Sequence, residues 1–126
     1  MKETNLGQHL WKRALEVIPV GNGLLSKRPD RYLPSLWPTY YSSCKGVEII
    51  DLDGNKFIDM AQMAVGSAIL GYSNKELVKA VNKSSEYGVN CTLNSPEEVY
   101  LSEKLIELNP FAGGVKFAKT GAEAMN

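Results

Sequence analysis

From Asn5 to Ile18 the chain reads NLGQHLWKRALEVI, and Leu6, Leu10, Ala14, Val17 and Ile18 recur on one face at helical spacing. The pattern predicts a first helix that Pro19 ends, because proline restricts the residue before it and supplies no amide donor. The next stretch, PVGNGLLSKRPDRYLPSLWP, breaks the periodicity. Its glycines and prolines forbid a long regular element, while its Leu, Tyr and Trp residues suit an arm packed against this chain or another. Gly46–Met60, GVEIIDLDGNKFIDM, is two β-rich runs about Asp53-Gly54. Asp-Gly readily takes the positive backbone angles of a hairpin turn.

Two amphipathic helices follow. In SNKELVKAVNKSSEYG, Ser73 and Glu76 have capping-box spacing, Leu77, Val78 and Val81 form the apolar face, and Gly88 suits the stop. In SPEEVYLSEKLIELNP, Ser95 and Glu98 repeat the box, Pro96 takes the first helical position, and Leu101, Leu105 and Leu108 make the stripe before Pro110. Gly113-Gly114 then turns the chain into VKFAK, whose alternation predicts a short strand over 115–119.

A third capping box, Thr120-Gly121-Ala122-Glu123, comes directly after that strand. Thr120 is expected to cap with its hydroxyl, and Glu123 to reach back to the Thr120 amide. The first amides of a helix have no partner within it and carry partial positive charge. Gly121 has no Cβ to keep a ligand away. Strand, glycine turn and helix start together make a phosphate cradle, at the carboxyl end of a strand where open α/β sheets bind ligands.

Composition narrows the function classes. The 126 residues suit one modest domain or part of a larger one. Lys+Arg 14 balances Asp+Glu 14, which gives no support for nucleic acid or an anionic membrane as partner. Cys44 and Cys91 form no CxxC and have no neighbouring histidine, so they read as reduced thiols of a cytoplasmic protein rather than metal ligands. MAQMAVGSAILGY, Met60–Tyr72, is too short to span a bilayer, and no secretory signal is visible at the N-terminus. Asp51-Leu-Asp53-Gly54 lacks the glycine and glutamate spacing of a calcium loop. His9, the sole histidine, has no partners in sequence for a metal site or a catalytic triad. The Glu97/Glu98 and Asp51/Asp53 pairs fit helix-start electrostatics and turn chemistry. Trp37, Tyr40 and Tyr41 fit a core or an interface. Neither dinucleotide-binding nor P-loop glycine spacing occurs.

Five segments in order carry a resemblance: VIPVGN closing the first helix, DLDGNKFIDM, ILGYSNKELVKAV, TLNSPEEVYLSEKLIEL and VKFAKTGAEA. They are similar to the N-terminal part of class III pyridoxal-phosphate aminotransferases, close to the glutamate-1-semialdehyde aminomutase branch. That branch reads D-x-D-G-N-x-(Y/F)-I-D, then (I/L)-L-G-(H/Y), then S-G-(T/S)-E-A. The resemblance implies an α/β fold of the fold type I aminotransferase architecture. Residues 1–60 would be the N-terminal arm and small-domain hairpin, and 61–126 the incomplete beginning of the large cofactor-binding domain with its mostly parallel sheet. It also implies pyridoxal 5'-phosphate as cofactor, its phosphate at Thr120, Gly121 and Ala122, and a homodimer of the full-length protein.

Departures from the pattern shape the expected activity. Ala122 stands where the family has Thr or Ser, which removes a hydroxyl and leaves main-chain donors. Val65 stands where the aminomutase branch often has Trp, and GNGLLSKRPDRY lacks its S-P-V-R, although Arg28 or Arg31 remains available to a substrate carboxylate. These departures favour transfer of an amino group between an amino donor and a small carbonyl compound, with the aminomutase reaction as the alternative. The Schiff-base lysine and the carboxylate facing the cofactor ring lie downstream in the family, so neither Lys116 nor Lys119 is assigned a catalytic role. The chain is therefore expected to be an N-terminal fragment, inactive alone. The remaining alternative is a non-catalytic interaction module.

Overall fold

The computed structural model describes residues 5–61, 63 and 66–126. The chain divides into two compact units, the first ending at Asn82 and the second running from Lys83 to Asn126.

The first unit opens with α1 (Leu6–Val17). Its buried positions are Gly7, Trp11 and Ala14, spaced by four and three residues on one face. Of the expected stripe Leu6, Leu10, Ala14, Val17 and Ile18, Ala14 is buried, but Leu6, Val17 and Ile18 are 49%, 77% and 44% exposed. Two close approaches decide the difference. Gly7 lets the main chain at Thr39 come within 3.5 Å of where a Cβ would stand. Gly21, at φ +80°, lies against the Trp11 ring. The indole outweighs the aliphatic stripe because one large ring buries more apolar area than any Leu or Val.

The segment after α1 is irregular but built. Short 3-10 turns cover Leu25–Lys27 and Pro29–Arg31. Tyr32 stacks on Trp37 with ring centroids 4.3 Å apart, and its hydroxyl donates to the Ser26 carbonyl at 2.7 Å. Gln8 of α1 donates its side-chain amide to the Trp37 carbonyl at 2.7 Å. The arm thus touches α1 through the Trp37 carbonyl, while Leu24, Leu25, Tyr32, Leu33 and Leu36, on which the expected packing rested, are exposed.

A three-stranded antiparallel sheet follows, ordered β1 (Tyr41–Lys45), β2 (Glu48–Asp51), β3 (Lys56–Ile58). The β2–β3 pair is the hairpin expected at Asp53-Gly54. Its connection is a four-residue loop rather than a two-residue turn. The 7%-exposed Asp51 organises it: one carboxylate oxygen accepts the amides of Asp53 and Asn55 at 2.9 and 2.8 Å, and the other the Asn55 side chain at 3.0 Å. Gly54 takes φ +83°. β1 has no counterpart in the sequence reading, because Tyr-Ser-Ser-Cys-Lys lacks the aliphatic β-formers that mark a strand. Pairing with β2 recruits it, and the Ser42 hydroxyl donates to the Asp51 carbonyl at 2.9 Å across a bulge.

α2 (Lys75–Glu86) begins in the first unit. Its cap is Asn74, not Ser73: the Asn74 side-chain oxygen accepts the amides of Glu76 and Leu77, both at 3.1 Å. The Ser73 hydroxyl is used elsewhere, donating to the Cys44 carbonyl at 2.8 Å. α3 (Pro96–Leu108) and α4 (Gly121–Met125) belong to the second unit. Pro96 takes the first-turn position expected of it, but Ser95 makes no side-chain cap. Its hydroxyl donates instead to the Glu97 carboxylate, and that bond holds the Glu97 carboxyl below its ordinary pKa. The apolar stripes of α2 and α3 are present but open, with Leu77, Val81, Leu101 and Leu108 all exposed. Residues 115–119 run without strand pairing, since no strand among the described residues supplies them a ladder.

Candidate functional site

Thr120 lies in extended backbone (φ −134°, ψ 155°) and is the N-cap of α4. Its hydroxyl oxygen accepts the Glu123 amide at 3.2 Å. Glu123 reaches back as a capping box requires, but one residue further than expected: its carboxylate accepts the Lys119 amide at 2.8 Å. The two reciprocal bonds fix the turn from Lys119 to Glu123. Within it the amides of Gly121 and Ala122 meet no acceptor among the described residues. Nothing lies within 4 Å of where a Gly121 Cβ would stand. An exposed pair of amides at a helix start, carrying partial positive charge, can accept an anionic oxygen.

The remaining candidates sort by their contacts. Arg28 is committed to Asp30 through two hydrogen bonds at 3.1 and 2.9 Å. The Arg31 amide donates to the Arg28 carbonyl at 3.2 Å, but its guanidinium makes no ion pair or hydrogen bond among the described residues, so of the two side chains it alone is free to meet a carboxylate. Val65 lies outside the described residues. Lys116 lines a groove of about 490 Å³ along α3 with Glu98, Ser102, Ile106, Val115 and Phe117, and none of Thr120, Gly121 or Ala122 reaches it. Cys44 and Cys91 are free thiols. Among the described residues no group of three potential ligands could hold a metal, and no helix is long and apolar enough to cross a membrane.

One pair escaped the sequence reading. The Tyr72 hydroxyl donates to the Asp59 carboxylate at 2.6 Å. That bond, reinforced by burial, pushes the Tyr72 phenol up to about 12. The residues are 13 apart and in different motifs. No local pattern in the sequence signals the pair, because it forms only when the chain folds back on itself.

Comparison with known proteins places these features in context. The family model described as "Aminotransferase class-III" matches residues 34–126. Glutamate-1-semialdehyde 2,1-aminomutase of Aquifex aeolicus (strain VF5) is 32% identical over 119 residues, which is 93% of this chain and 27% of the relative. An omega-transaminase from Sphaerobacter thermophilus superposes with a TM-score of 0.83 at 26% identity, over 98% of this chain and 27% of its own. A solved structure described as a transaminase with PLP bound gives a TM-score of 0.84 at 28% identity, over 99% of this chain and 28% of its own. The chain thus spans little more than a quarter of the length of these proteins.

Proposed function

The chain belongs to the class-III aminotransferases, and from that premise we propose that it forms the N-terminal portion of a pyridoxal-phosphate-dependent enzyme that moves an amino group between an amino donor and a small carbonyl compound. In this reading residues 1–60 are the arm and small-domain hairpin, and residues 61–126 begin the cofactor-binding domain. The likeness of the whole chain to transaminase structures, one of them with PLP bound, supports the fold type I architecture and the cofactor. The complete enzyme is a cytoplasmic homodimer in this reading, a setting that suits two free cysteines.

The observation that carries the proposal is the pair of unpartnered amides at Gly121 and Ala122 beside a reciprocally capped Thr120. They fit a phosphate. Glu123 is held on the Lys119 amide, Thr120 on the Glu123 amide, and nothing stands within 4 Å of where a Gly121 Cβ would be. When bound, pyridoxal phosphate supplies the electron sink that makes amino transfer feasible. This chain's residues bind and orient it: the two amides hold the phosphate, and Ala122 contributes no hydroxyl. The general base and the cofactor-bearing lysine are proposed for the part of the enzyme beyond this chain.

Gly121→Pro tests the reading in the intact enzyme. Proline is tolerated at the first helical position and Thr120 already has the extended backbone it requires, so α4 is retained while one amide donor is deleted. Losing a hydrogen bond to a charged group weakens cofactor binding by about tenfold or more. Cofactor absorbance after dialysis reports it. Unchanged retention sinks the placement of the phosphate. The aminomutase reaction, suggested by the Aquifex relative's name, is distinguished by whether amino transfer needs a separate acceptor.

A further inference from the structure

The segment Gly71–Ser73 crosses the β1–β2 turn and is tied to it by main chain. Gly46 and Tyr72 exchange both backbone hydrogen bonds at 2.8 Å. Gly71, at φ +81°, comes so close that a Cβ there would stand 3.2 Å from the Gly46 Cα and carbonyl oxygen. Ser73 takes φ +52°, left-handed backbone that a residue with a Cβ adopts at a cost of about 1–2 kcal/mol. Such a conformation persists only where surrounding contacts over-determine it. Two side chains do so. The Ser73 hydroxyl holds the Cys44 carbonyl, and the Tyr72 hydroxyl holds Asp59. Asp59 is itself fixed, with its amide on the Val47 carbonyl at 2.8 Å and its second carboxylate oxygen on the Ala61 amide at 2.8 Å. The polar and ionisable groups acting on the Tyr72 phenol are Asp59, Cys44 and Tyr41. The next residue, Asn74, caps α2.

We propose that the Tyr72–Asp59 bond is a latch that holds Gly71–Ser73 as a strained strap on the β1–β2 turn, and that opening it frees the strap and the start of α2 while the β2–β3 hairpin stays formed. Asp59 and Tyr72 are positioning residues in this device: they touch each other and the sheet, and act on α2 through the strap. The strain at Ser73 favours release, and the short charged hydrogen bond opposes it.

Amide hydrogen exchange in Tyr72→Phe tests the device. The ring stays and only the hydroxyl is lost. The amides of Gly46 and Tyr72 report the strap, and the Asp51 amide, bonded to the Asn55 carbonyl at 3.0 Å, reports the hairpin. The expected result is exchange about tenfold faster at Gly46 and Tyr72, the loss corresponding to a charged hydrogen bond, with Asp51 unchanged. No change at Gly46 and Tyr72, or an equal rise at all three, overturns the latch. Asp59→Asn keeps a neutral acceptor and gives a smaller rise with the same pattern. Should Tyr72→Phe fail to fold, the pattern in Asp59→Asn decides by the same criteria.

Discussion

The Asp53 carboxylate accepts the Leu6 amide with both oxygens at 3.2 Å, joining the tip of the β2–β3 hairpin to the start of α1 across 47 positions of sequence. Asn5, the residue at the N-cap position, makes no side-chain cap bond. The helix is therefore capped from a distance, by a negative charge placed against its positive end. Asp53→Ala is expected to cost about 1 kcal/mol, the usual loss for an N-cap oxygen. Asn5→Ala changes stability by much less. Chemical denaturation of both variants checks the pair, and equal effects would show that the distant cap contributes nothing special.

Gly21 is the position where α1 is most sensitive to a single methyl. A Cβ there would stand 2.3 Å from the edge of the Trp11 ring, and the backbone is already in the left-handed region. Trp11 is one of three buried apolar side chains among the described residues, with Ala14 and Pro29, so the ring has little room to yield without losing the core. Gly21→Ala combines overpacking with backbone strain and is expected to destabilise by about 2–4 kcal/mol. The denaturation midpoint falls accordingly, and tryptophan emission shifts to the red at lower denaturant. A loss below that of Gly23→Ala, where a Cβ meets nothing within 4 Å, would contradict the packing of Trp11 on Gly21.

Tyr72 gives a pH signature. Its phenol is raised from 10.0 to about 12, first by the hydrogen bond to Asp59 and then by burial. A raised folded-state value means the neutral form is stabilised by folding. The contribution is complete below pH 10 and disappears as pH climbs from about 10 to about 12. Tyrosinate absorbance is expected to show one of the six tyrosines ionising after the others. In Tyr72→Phe that last step vanishes, and the alkaline loss of stability becomes shallower. Persistence of the late step in the variant would assign it to another tyrosine.

Local chemistry was legible in the sequence where a signal had one outlet, and ambiguous where it had two. Asp53-Gly54 marked a hairpin because glycine at positive φ has few other uses between two β-rich runs. Thr120 and Glu123 marked a cap, and the structure moves only the far end of the box, from the Thr120 to the Lys119 amide. Ser73 and Asn74 are both good capping residues, and sequence spacing chose Ser73. The Cys44 carbonyl, remote in sequence, claims the Ser73 hydroxyl and leaves the cap to Asn74. The Trp11 face of α1 was hidden for the same reason, since its partner is a glycine beyond Pro19 rather than another apolar residue. β1 and the Tyr72–Asp59 pair depend wholly on long-range pairing, which no local propensity encodes. At the candidate site both the turn and its main-chain donors could be read, and the structure adds that Glu123 takes the Lys119 amide rather than that of Thr120.

Ala122 offers a test by gain rather than loss. Its amide is free and its side chain is a methyl at the second residue of α4. If the phosphate rests on the Gly121 and Ala122 amides, a hydroxyl at position 122 lies within reach of the same oxygens. The extra hydrogen bond is worth about 1 kcal/mol net, or roughly fivefold in affinity. Ala122→Ser in the intact enzyme is therefore expected to bind pyridoxal phosphate about fivefold more tightly. The change costs the helix little, because serine near a helix start is well tolerated. Pyridoxal, which lacks the phosphate, separates the causes: its affinity stays unchanged if the new hydroxyl meets the phosphate, whereas a rise for both compounds would point to a general tightening of the site. No gain for either compound would place the phosphate away from this turn.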